Sequence, residues 1–95
     1  MVTITEKAYS RLQRKLKRHP DGIAVRMTVK DGRVRFQPDA EQKGDVVFTH
    51  GGQSVLLMAA DTARRVSKRT LDVVKTDDGK RIRFVPSVNS TQASP

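Results

Sequence analysis

The stretch IAVRMTVKDGRVRFQ, residues 23–37, decides how the chain is read. Ile23, Val25, Met27 and Val29 alternate with Ala24, Arg26 and Thr28. Side chains on a strand point to opposite faces in turn, so this alternation predicts a half-buried strand. Asp31-Gly32 then supplies the dipeptide favoured by a two-residue hairpin turn. Beyond it Val34 and Phe36 alternate with Arg33, Arg35 and Gln37. Two alternating runs on either side of a tight turn predict an antiparallel hairpin.

The pattern continues outward from the hairpin. Pro38 is expected to stop the second strand, because proline has no N–H for a ladder, and residues 39–44 read as a polar loop. Residues 45–50 predict a third strand centred on Val46-Val47-Phe48, Gly51-Gly52 a turn, and residues 54–58 a fourth strand. Adjacent apolar residues in these two strands imply burial on both faces or a β-bulge. Residues 59–68 are helix-compatible, with Ala59, Ala63 and Val66 on one side. Residues 70–75 predict a strand, residues 77–80 a turn, and residues 81–85 the last strand. Before the hairpin, Ala8, Leu12 and Leu16 recur at helical spacing, with Tyr9 beside them, predicting a helix over residues 5–19. Thr5 is the natural N-cap, although Thr3 and Glu6 also have capping-box spacing. Pro20, Asp21 and Gly22 end the helix.

The expectation is one domain over residues 1–86 and a disordered tail over 87–95. The fold class is mainly β (α+β): largely antiparallel strands, an N-terminal amphipathic helix and a short second helix.

Composition removes several kinds of chemistry. The chain has 95 residues and no cysteine, so thiolate nucleophiles, disulfides and Cys-ligated metals are ruled out. No apolar run approaches the roughly 20 residues that span a bilayer, and the N-terminus lacks a secretory pattern. A cytoplasmic protein without membrane contact is the expectation. Ser10, Ser54 and Ser67 lie in no nucleophile elbow, and Gly51-Gly52 precedes a strand and not a helix, so neither an esterase nor a phosphate-loop motif is present. His19 and His50 have no ligand spacing between them. Asp39, Glu41 and Asp45, and the pair Asp77-Asp78, read as turn-forming acids before they read as acid–base pairs. No enzyme, resident metal or cofactor is expected.

The basic residues carry the remaining signal. The net charge is +9. Lys7, Arg11, Arg14, Lys15, Lys17 and Arg18 lie on the first helix against one acid, Glu6, and a solvated face ordinarily mixes both signs. On a helical wheel Lys7, Arg11, Arg14, Lys15 and Arg18 share the side away from Leu12 and Leu16. Arg64, Arg65, Lys68 and Arg69 follow on the short helix, and Arg33, Arg35, Arg81 and Arg83 alternate with apolar strand residues. The candidate anion- or partner-binding set is Lys7, Arg11, Arg14, Lys15, Arg18, Arg64, Arg65 and Lys68. Its expected partner is an acidic protein or nucleic-acid phosphates.

Several strings, taken in order, resemble the HesB family of A-type iron–sulfur carriers. They are TITEKAYSRLQRKL at residues 3–16, GIAVRMTV at 22–29, GDVVFTHGG at 44–52, SVLLMAADTARRV at 54–66, TLDVV at 70–74 and KRIRFVP at 80–86. The resemblance implies a HesB-like sandwich or pseudo-barrel of mixed strands, a link to iron–sulfur cluster assembly, and leaves a homo-oligomer open. It also implies three cluster-ligand cysteines. One belongs in a loop between the first two long strands, where this chain has Lys30-Asp31-Gly32. Two belong after the last strand, where residues 87–95 carry no thiol. Thiolates are the standard ligands of such clusters. The resemblance therefore implies a degenerate member that has lost cluster binding and serves as an interaction or assembly module.

Overall fold

The computed structural model describes residues 1–86; the expected tail, residues 87–95, lies outside them. The elements run β1 (Thr3–Ile4), α1 (Glu6–Leu16), β2 (Ile23–Lys30), β3 (Arg33–Ala40), β4 (Asp45–His50), β5 (Gln53–Ala59), α2 (Ala60–Arg65), β6 (Thr70–Thr76) and β7 (Gly79–Val85). They form a three-stranded sheet, β1-β6-β7, and a four-stranded sheet, β3-β2-β5-β4. The hairpin pairs β2–β3, β4–β5 and β6–β7 are antiparallel, while β1 with β6 and β2 with β5 pair parallel. This is the mixed, largely antiparallel α+β class that the sequence predicts.

The hairpin forms with Lys30 opposite Arg33, leaving a two-residue loop. Asp31 and Gly32 both take positive φ, 52° and 76°. That is the geometry in which an Asp-Gly turn follows the twist of its strands. Both readings of the double apolar runs hold. Val55, Leu56, Leu57 and Met58 are all buried on the central strand β5, and the β4–β5 register shifts between Phe48 and Thr49.

Three expectations are corrected. Pro38 does not stop β3, which continues to Ala40 with Pro38 opposite Val25. β3 is an edge strand, so the missing N–H of Pro38 costs no ladder bond on the outer side. The loop that follows is correspondingly shorter than residues 39–44. Strand β1 is an addition: two residues are too few to show alternation, yet the Thr3 N–H donates to the Arg69 carbonyl at 2.9 Å and the Thr5 N–H to the Leu71 carbonyl at 3.1 Å. The helices are also shorter than their patterns. α1 ends at Leu16 and α2 spans only Ala60–Arg65.

Helix α1 is the piece that joins the two sheets, touching β6 of one and β2 and β5 of the other. Its buried stripe Ala8, Leu12 and Leu16 packs into one core with Val25, Met27, Phe48, Val55, Leu56, Met58, Leu71 and Ile82. Two polar ties fix its angle. The Thr5 hydroxyl accepts the Ala8 N–H at 3.2 Å, so Thr5 and not Thr3 is the cap. The same hydroxyl donates to the Asp72 carboxylate on β6 at 2.7 Å. At the other side His50 on β4 stacks on Tyr9 with ring centroids 4.7 Å apart. Its Nε2 lies 2.9 Å from the Glu6 carboxylate, and the Gln13 amide donates to its carbonyl at 3.0 Å.

The Thr5 bond, then the Val73 N–H, holds the Asp72 carboxyl below its ordinary value of 3.8. Thr5→Ala removes cap and bond together and is expected to cost about 1–2 kcal/mol. A depressed carboxyl stabilises the fold fully above its unfolded pKa and loses that contribution as pH falls through the folded value. Urea titrations should therefore show the Thr5→Ala deficit at pH 7 and a smaller one in acid.

Candidate functional site

The site follows from where the sheets and α1 leave their edges. β3 ends one sheet and β7 ends the other. A groove of about 700 Å³ runs between them, closed along one side by α1. Its cations are Arg11 and Lys15 from α1, Arg33 from β3, Arg69 from the α2–β6 connection, and Lys80, Arg81 and Arg83 from β7. Asp78 is the one acid among the lining residues, 3.6 Å from Arg81. Among the described residues the other six cations have no carboxylate within ion-pair distance. Such uncompensated charge along a concave wall concentrates the positive field and attracts anions.

The floor is apolar. Val34, Phe36, Ile82 and Phe84 line it, all of them buried or half-buried. The Arg69 guanidinium sits over the Phe84 ring, 5.1 Å from its centroid. This cation–π contact steadies Arg69 at the groove wall and covers that ring face.

A second depression, about 660 Å³, continues along the C-terminal half of α1 to Phe36, Gln37 and Pro38 on β3. Arg11, Arg14, Lys15 and Arg18 all line it, and Arg11, Lys15 and Phe36 belong to both depressions. Four of the eight sequence-predicted residues are thus brought together. The other four line neither depression. Lys7 is near enough to Asp72 to help lower its pKa. Arg64, Arg65 and Lys68 are exposed on and after α2, with Arg64 paired to Asp61 one turn away. Arg33, Arg69, Lys80, Arg81 and Arg83 line the groove in addition to the candidate set. The alternation placing Arg81 and Arg83 opposite Ile82 and Phe84 was visible, but not that β7 is an edge facing α1.

The other candidates resolve into structure. Asp39 and Asp45 hold Arg26, and His50 is bound up with Tyr9, Gln13 and Glu6. His19 lies at the far end of α1 from that cluster and lines the second depression. Among the described residues no group of three His, Asp or Glu side chains could hold a metal ion. The hairpin where the resemblance implies a cluster ligand presents Lys30, Asp31, Gly32 and Arg33, none of them a thiolate. These residues do not fit an iron–sulfur cluster. No helix among the described residues is long and apolar enough to cross a membrane.

Comparison with solved structures identifies the fold. The chain is similar to Escherichia coli SufA, described as involved in biosynthesis of iron–sulfur clusters, with a TM-score of 0.73 and 23% identity over 88% of this chain and 83% of that one. It is also similar to IscA, solved with a [2Fe-2S] cluster, with a TM-score of 0.58 and 20% identity over 90% of this chain and 81% of that one. No protein-family model matches the sequence, and neither does any curated protein. The architecture is thus the HesB-like, A-type iron–sulfur carrier fold that the ordered strings imply.

Proposed function

We propose that this chain is a non-catalytic, cytoplasmic protein of the iron–sulfur carrier fold that binds no cluster and works as an interaction module for an acidic protein partner. The observation that carries the reading is the pairing of a carrier-like scaffold with a groove holding seven cations and one acid, in a chain without a single cysteine. A cluster needs thiolates, and the hairpin offers an aspartate, a glycine and basic side chains instead. An acidic surface suits what remains. Arginine forks meet carboxylates in bidentate geometry, and desolvation along an apolar floor strengthens each such contact.

Two measurements test this. Anaerobic incubation with ferrous iron and sulfide, followed by desalting, is expected to leave the protein colourless; a retained brown chromophore with visible absorbance would refute the loss of cluster binding. Affinity capture from the native lysate is expected to retain a protein partner after nuclease treatment. Loss of all retained material on nuclease treatment would replace the acidic protein with nucleic-acid phosphates as the partner.

A further inference from the structure

We infer that strand β7 is a docking edge, and that its occupant is an extended segment of the partner in which acidic and apolar residues alternate. The inference rests on the acidic-partner reading above and names the form that partner takes.

Three observations converge on β7. It is the outer strand of its sheet, so one side of its backbone has no strand neighbour among the described residues. An unpaired edge presents a row of N–H and C=O groups to any extended chain. Its side chains alternate strictly over the relevant length: Arg81 and Arg83 are exposed on one face, while Ile82 and Phe84 turn to the apolar floor on the other. A strand added beside β7 would set its own residues opposite these in register, carboxylates against Arg81 and Arg83 and apolar side chains against Ile82 and Phe84. Across the groove Arg11, Lys15 and Arg33 would meet the same strand from its other side.

The rival edge is less open. β3 also borders the groove, but Pro38 leaves it short of a donor in its C-terminal half. β7 contains no proline.

Other occupants fit the charge less well. Residues 87–95 hold no aspartate or glutamate, so that stretch supplies no carboxylate side chain for the arginines. A second copy paired through β7 would set arginine strand against arginine strand, and like charges directly opposite destabilise a ladder. Nucleic-acid phosphates would answer the charges and accept from backbone N–H groups, but a phosphate carries no donor for the carbonyls of the edge. The bases would also find the Phe84 face taken by Arg69.

The test uses the full chain and three probes at physiological salt: a fluorescein-labelled octapeptide alternating Glu and Val, a block isomer with the same residues segregated, and a single-stranded oligonucleotide. By anisotropy the alternating peptide should bind about tenfold or more tightly than the block isomer. Replacing Arg81→Gln and Arg83→Gln together should weaken it by about tenfold, whereas Lys7→Gln with Arg64→Gln should change it by less than about twofold. N-methylating the alternating peptide on the edge that would pair with β7 keeps its charge and should abolish binding. If the block isomer binds as tightly, or N-methylation has no effect, the edge docking falls while the acidic-partner reading stands. If no acidic peptide binds, or only the oligonucleotide does, both fall. Circular dichroism of the Arg81→Gln, Arg83→Gln protein confirms that it is folded, and the two isomers decide the matter on the unaltered chain in any case.

Discussion

Arg26→Ala is expected to lower the melting temperature by roughly 15 °C, the scale for losing about 3 kcal/mol in a domain of this size. Arg26 sits mid-strand on β2, on the face opposite the main core, with its side chain only 11% exposed. Its Nε donates to Asp39 at 2.6 Å, and its two terminal nitrogens donate to Asp45 at 2.9 and 2.6 Å. Asp39 lies on β3 and Asp45 at the start of β4, so one guanidinium ties three of the four strands in its sheet. Removing it leaves two acids facing each other without their cation. That loss is far larger than the fraction of a kcal/mol typical of an exposed pair. Arg26→Lys should fall between, since a point charge cannot span both carboxylates in forked geometry.

The pH dependence separates this account from a simple packing loss. The Arg26 bonds, then the backbone N–H groups of Ala40 and Gln42, hold Asp39 and Asp45 below their ordinary value of 3.8. Carboxyls depressed in the fold stabilise it above their unfolded pKa, and that share is lost as pH falls through the lower folded values. Thermal melts from pH 7 downward should show the wild-type chain losing stability below about pH 4. Arg26→Ala should lose much less over the same range, because protonation there relieves a repulsion. A parallel decline in both proteins would mean that Arg26 acts through its aliphatic stem alone.

Much of this molecule is legible in the sequence because its signals are local. The alternation of residues 23–29, the Asp31-Gly32 turn and the Thr5 cap each depend on neighbours within a few positions. What could not be read depends on register. Pro38 looked like a terminator until β3 proved to be an edge strand. Asp39 and Asp45 looked like loop acids because their partner stands 13 and 19 residues away. The groove is the same kind of case. Its charges come from α1, β3, the α2–β6 connection and β7, and only the packing of α1 across both sheets makes them one surface. The first helix carries the densest run of charge, and its outward face meets the groove through Arg11 and Lys15, but the groove's other cations stand on β3, on β7 and at Arg69. The short second helix contributes only through Arg69, just beyond it.

Leu12→Ala should be as damaging as the loss of Arg26, for a different reason. Leu12 is fully buried at the middle of the α1 stripe, in the same core cluster as Met27 and Leu56 of one sheet and Leu71 and Ile82 of the other. Truncation removes apolar surface and leaves a cavity where α1 meets both sheets, and such changes cost about 2–5 kcal/mol. A domain of this length has only about 5–15 kcal/mol in hand. Guanidinium titration should show a clearly lower midpoint with an unchanged slope if the fold stays two-state. Leu12→Met, which nearly conserves volume, should cost less than about 1.5 kcal/mol. Arg11→Gln makes a sharp control, because Arg11 immediately precedes Leu12 on the helix but lines the groove and has no carboxylate partner among the described residues. It should leave stability unchanged or slightly raised, since it relieves repulsion from Lys15 one turn away. A small loss for Leu12→Ala, or a large one for Arg11→Gln, would contradict the division of α1 into a face that holds the sheets together and a face that presents charge to the groove.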